Sequence, residues 1–106
     1  MMSLSDKQQR FTRARNLLEQ FAFYSGYELT LGDAYRDPRT TYGHPKSTHR
    51  SRLAQDYNIF KDGKYLDGED AYRAFGVMHD YWDMLGGSKR IEADMNHFSF
   101  SHDGIR

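Results

Sequence analysis

Two short stretches hold the residue types that could do chemistry. Ser47-Thr48-His49-Arg50-Ser51-Arg52-Leu53-Ala54-Gln55-Asp56 carries a histidine and a carboxylate, and Asp94-Met95-Asn96-His97-Phe98 carries another of each. Two imidazoles and two carboxylates match the needs of a catalytic zinc, with three protein ligands and one acid left over for proton transfer. The spacing sets conditions on that reading. In a straight strand His49 and Asp56 would stand roughly 23 Å apart, at about 3.3 Å per residue, and on opposite faces. Both reach one ion at about 2.0–2.2 Å only if the chain turns between them. The turn is expected at Arg50-Ser51-Arg52, before Leu53 to Phe60 runs on as a strand. Asp94 and His97 can lie close together on a turn, so that one binds metal while the other faces the same site. Against this stands the commoner fate of such residues in a small soluble domain, which is surface placement or capping.

Ser47-x-His49-x6-Asp56 followed by Asp94-x-x-His97-Phe98 resembles the signature of the zinc D-Ala-D-Ala peptidase and hedgehog-like group. That group includes phage L-alanyl-D-glutamate endolysins, D,D-carboxypeptidases and D-Ala-D-Ala dipeptidases. Ala34-Tyr35-Arg36 is similar to its Gly-Tyr-Arg segment and Leu85-Gly86-Gly87 to its Trp-Gly-Gly segment, so the likeness runs from Tyr35 to His97 with the motifs in order. The resemblance implies Zn2+ on His49, Asp56 and His97, with Asp94 as general base. It implies Arg36 as the group on the carbonyl oxygen or oxyanion, and Ser47 as a substrate contact or a support of its loop. Two positions depart from the pattern. Arg52 stands where the group has Gly, so a positive φ there would be strained, and Leu85 replaces an aromatic expected to face substrate.

The elements that must position these residues follow from periodicity. Ser5-Asp6 is expected to cap a helix running to about Tyr24, with Phe11, Ala14, Leu17, Leu18, Phe21 and Ala22 on one stripe and Gly26 closing it. Lys7, Arg10, Arg13 and Arg15 make its first half basic, which reads as a solvated face. Tyr27 to Leu31 alternates as a strand. Asp37 to Lys46, with Pro38, Gly43 and Pro45, is a loop that presents Tyr42 and His44 as candidates to touch substrate, and His44 could compete as a ligand. Asp62-Gly63 marks a hairpin turn after Phe60. Glu69 to Leu85 has helical spacing, closed by Gly86-Gly87, with His79 beside its stripe as a packed or surface residue. Asn96 to Ser101 alternates, with Phe98 and Phe100 toward the core and His97 and Ser99 on the opposite face.

With 106 residues and 38% hydrophobic content, the expectation is a single domain over 1–106 with one modest core, in which eight Tyr and seven Phe weigh heavily. The fold class expected is α+β, a small antiparallel sheet packed with two main helices, and the resemblance implies the same hedgehog/D,D-peptidase-like arrangement. The absence of cysteine leaves only His and carboxylate ligands for a metal. Fifteen basic and fifteen acidic residues argue against a nucleic-acid partner. No stretch has the apolar core of a signal peptide or the length of a membrane span, so no membrane insertion is expected. The resulting expectation is a monomeric zinc metallopeptidase that cleaves peptidoglycan stem peptides, as an L-alanyl-D-glutamate endopeptidase or a D,D-carboxypeptidase. It would be cytoplasmic when made and act on the cell wall after release, as phage or prophage lysins do. The alternative is a non-catalytic, zinc-containing cell-wall-binding module of the same fold.

Overall fold

A computed structural model describes residues 2–33 and 48–106. Arg36, Tyr42, His44 and Ser47 lie outside the described residues, as do the rest of the Ala34-Tyr35-Arg36 segment and the loop expected from Asp37 to Lys46. The element order is α1 (Leu4–Tyr24), β1 (Glu28–Leu31), β2 (Ala54–Lys61), β3 (Lys64–Tyr65), α2 (Gly68–Met84) and β4 (His97–Ser99), an α+β arrangement with an antiparallel sheet.

Strand β2 is the spine of the sheet. One of its edges takes β1, with Leu29 opposite Ile59 and Leu31 opposite Tyr57. The other is shared by β3, after a hairpin, and by β4, which sets Gln55 against Phe98 and Asp56 against His97. Asp62 (φ 51°) and Gly63 (φ 77°) both adopt left-handed backbone, the requirement of the tight hairpin turn that Asp-Gly announces. Alternation along β2 separates two faces. Leu53, Tyr57 and Ile59 enter the core with Phe98, while Asp56 and His97 project from the other side.

Both helices cover the core face. Phe11, Ala14, Leu18 and Ala22 of α1 meet Ala74, Phe75, Met78 and Trp82 of α2 over Tyr57, Ile59 and Phe98. The cap of α1 is Ser3 rather than Ser5, its hydroxyl accepting from the Asp6 amide at 3.1 Å, and Leu17 is exposed instead of buried. Trp82 ties α2 to β4. Its indole N–H donates to the Ser99 carbonyl at 3.0 Å, and its ring stands edge-on to Phe98. Gly87 closes over that indole so tightly that a Cβ would overlap Trp82 Nε1. Leu85-Gly86-Gly87 thus has a packing reason for its second glycine. None of the helices among the described residues is long and apolar enough to cross a membrane.

Candidate metal centre

The turn expected between His49 and Asp56 is present, and its form is specific. The Leu53 amide donates to the Thr48 carbonyl at 2.8 Å and the Arg52 amide to the His49 carbonyl at 3.3 Å, with Arg52 at φ 60°. This is the six-to-one and five-to-two pairing of a Schellman closure, whose left-handed position normally belongs to glycine. Arg52 fills it at the cost of backbone strain, and fully buried Leu53 anchors the exit. Side-chain bonds brace the turn. Ser51 Oγ donates to the Thr48 carbonyl at 3.2 Å, and Gln8 Nε2 of α1 donates to the Ser51 carbonyl at 2.9 Å.

Asp56 is fixed by its backbone. Its amide donates to the Asp33 carbonyl at 2.7 Å, and its carbonyl accepts from the Gly32 amide at 2.8 Å and from the buried Gln55 side chain at 2.7 Å. Gly32 approaches so closely that a Cβ would lie 3.2 Å from the Asp56 carbonyl oxygen and 3.3 Å from its Cβ. His97 comes from the start of β4. The turn before it closes through its amide and the Asp94 carbonyl at 3.1 Å, which puts Asp94 beside the same site.

Three donor atoms converge on the face away from the core. His49 Nε2 and Asp56 Oδ1 are 3.2 Å apart, His97 Nδ1 and Asp56 Oδ1 3.1 Å, and the two ring nitrogens 3.2 Å. Ligands at the usual zinc distance of about 2.0–2.1 Å in a tetrahedron stand roughly 3.3 Å from one another, so the triangle fits. His49, Asp56 and His97 form a buried group that could hold a metal ion. For His97 to offer its Nδ1 lone pair, its proton must sit on Nε2, and Thr48 Oγ1 lies 3.5 Å from that atom, fully buried, as the acceptor. Burial alone would raise the Asp56 carboxyl. With protons on the nitrogens that face it, hydrogen bonds from His49 and His97, with their charge, outweigh burial and hold the group down at about 2, and a bound metal would take the place of those protons.

Asp94 stands at the rim. Its carboxylate is 4.0 Å from His97 Nδ1 and half-exposed, which suits a group that exchanges protons better than one that binds an ion. No family model, curated protein or solved structure matches this chain.

Of the two fates expected for His79, packed or surface, it has the first and is fully buried. Its Nε2–H donates to the Met95 carbonyl at 2.7 Å, and its ring stacks on Phe98 at 3.9 Å. It holds the centre of the Asp94–His97 turn from the core side. Desolvation lowers its pKa to about 4, since the Met95 carbonyl offsets only part of that cost. Sequence reasoning also passed over Thr48, Gln55 and Gly32. Only Gly32 carried a signal, a glycine at a strand end where another backbone comes close. His102 pairs with Lys7 at 3.4 Å and with Asp103 at 3.5 Å.

Proposed function

We propose that this chain is a zinc-dependent peptidase that hydrolyses peptide bonds in peptidoglycan stem peptides, of the L-alanyl-D-glutamate endopeptidase or D,D-carboxypeptidase type. The observation that carries the reading is the triangle of His49, Asp56 and His97 with a second, half-exposed carboxylate, Asp94, at its rim. A structural zinc closes its shell with four ligands, whereas three ligands and a nearby base are the makings of hydrolysis. Zinc on these residues would supply a Lewis acid and bring a water's pKa towards about 7. Asp94 takes up a proton from the attacking water and returns it to the leaving amine. Thr48 keeps His97 in one tautomer, and the paired backbones of Gly32, Asp33 and Asp56 hold the carboxylate in place. The motif resemblance assigns Arg36 to the oxyanion and Ser47 to a substrate contact, and the sequence offers Tyr42 and His44 as further candidates to touch substrate. The substrate class rests on the ordered motif resemblance.

Incubating the zinc-loaded protein with purified peptidoglycan, then determining the new termini by mass spectrometry, tests this reading. New L-alanine carboxyl and D-glutamate amino termini, or released D-alanine, are expected. An intact wall treated with fully zinc-loaded protein would favour the non-catalytic, wall-binding alternative.

A further inference from the structure

A second feature lies apart from the residues of the metal centre. Between α1 and the segment that follows α2 runs a cleft of about 610 Å³, with Lys7, Arg10 and Arg13 along one side and Gly86, Ser88 and Ser101 on the other. Positions 7, 10 and 13 follow one another at three-residue intervals, which sets the cations on one side of α1 at steps of about 4.5 Å along its axis. No carboxylate lines the cleft among the described residues. In a chain with equal numbers of acidic and basic residues, that segregation is local.

The helix's other arginine shows the contrast. Arg15 is neutralised by Glu19 at 2.7 Å, and Arg73 and Arg90 on and after α2 are also ion-paired. Arg10 and Arg13 have no carboxylate within ion-pair distance among the described residues, although Asp6 stands one turn before Arg10. Among the described residues Lys7 meets a ring nitrogen of His102. The hydroxyls of Ser88 and Ser101 bond each other at 2.7 Å on the facing wall, so one proton remains to be donated across the cleft. The floor is apolar, from Ala14, Leu17, Leu85 and Phe100.

We propose that this cleft is a binding site for a soluble ligand bearing two or more phosphate groups. Successive groups would be held by Lys7, Arg10 and Arg13, with Ser88 or Ser101 donating from the opposite wall. Phosphate suits the site because arginine binds it bidentately and three cations in a row can meet a repeated charge. The near-zero net charge disfavours long nucleic acid, which is attracted by a wide basic field. The site is independent of the metal centre and would stand if the peptidase reading failed.

The test titrates inorganic tripolyphosphate into the full, isotopically labelled chain and follows its amide and arginine Nε–H resonances. Saturable shifts are expected at Arg10 and Arg13 and at the amides of Gly86 to Ser88, with affinity falling about tenfold in each of Arg10→Gln and Arg13→Gln. The double variant should also flatten the salt dependence by roughly two charges, while Arg73→Gln changes neither. Three results would each overturn the site: no saturable shift up to about 1 mM probe, shifts confined to the amides around His49 and His97, where the probe would be stripping metal, or unchanged affinity in the double variant. Binding to vesicles of anionic phospholipid that tripolyphosphate does not displace would assign the cations to a membrane surface and also overturn it.

Discussion

Asp56 and Asp94 both stand beside His97, and their surroundings differ as the roles proposed for them require. Asp56 Oδ1 lies within 3.2 Å of both ring nitrogens and its carboxyl is held at about 2, whereas Asp94 is half-exposed at 4.0 Å. Asp56→Asn is therefore expected to release zinc, measured by metal analysis of the purified variant. Asp94→Asn should keep zinc and lose on the order of 10²–10⁴-fold in hydrolysis. The reverse pattern would make Asp94 the ligand. His79 gives a pH prediction from the same neighbourhood. Desolvation keeps it neutral in the fold until about pH 4, while in the unfolded chain it gains its proton near 6.5. Between those values the unfolded state binds more protons, so the contribution is fully present above about 6.5 and is lost as the pH falls towards 4. Urea unfolding should show a loss of about 2 kcal/mol between about pH 7.5 and pH 5, and His79→Gln should flatten that limb even if it is less stable throughout. Parallel pH slopes in the two proteins would show that His79 titrates normally.

The elements show what a sequence can and cannot announce. The buried stripes of both helices, the Asp-Gly hairpin and the turn between His49 and Asp56 all follow from periodicity or from reach. Other features depend on contacts distant in the chain. Ser3 and Ser5 are equally able to cap a helix, and periodicity does not choose between them; Ser3 takes the position, accepting from the Asp6 amide. A histidine in an apolar stripe reads the same whether solvated or buried; His79 is buried because the Met95 carbonyl, sixteen residues on, accepts its proton. Strand β4 spans His97–Ser99 rather than reaching Ser101, since β2 begins at Ala54 and offers Ser99 its last ladder partner. That His49, Asp56 and His97 come together was legible because ligand chemistry restricts the choice, whereas Thr48 and Gln55 were not, because either residue has many uses. The Arg52 position offers a clean measurement. Arg52→Ala and Arg52→Gly both delete the side chain and its contacts, so their difference reports the left-handed backbone strain net of glycine's greater freedom in the unfolded chain. Glycine should be the more stable by about 1 kcal/mol in thermal or urea unfolding, with zinc retained in both. Equal stabilities would mean that the turn relaxes away from φ 60°.

At the scale of the whole molecule a metal held by His49, Asp56 and His97 would also be a cross-link. The chain has no cysteine, so no disulfide spans it. The His49 turn, strand β2 and strand β4 are instead joined across 48 residues of sequence at one point, where two imidazoles and a carboxylate are gathered on the face opposite the core. Without a metal, hydrogen bonds among these polar groups, and between His97 and Thr48, offset part of their desolvation. With one, the ion binds a geometry that the unfolded chain does not possess, and its binding free energy becomes folding free energy. At free zinc about a thousandfold above the dissociation constant the fold gains about 4 kcal/mol. For a domain of this size that corresponds to a rise in Tm of roughly 15 °C. Calorimetry with zinc and again after removal of the metal by a chelator should show this difference for the wild type. His97→Ala should unfold at one temperature under both conditions, close to that of the chelated wild type after allowance for its own packing loss. Asp94→Asn should keep the full zinc-dependent rise, because it leaves all three ligands in place. A wild type whose Tm ignores zinc would refute the ligand set itself, and with it every role assigned around the triangle.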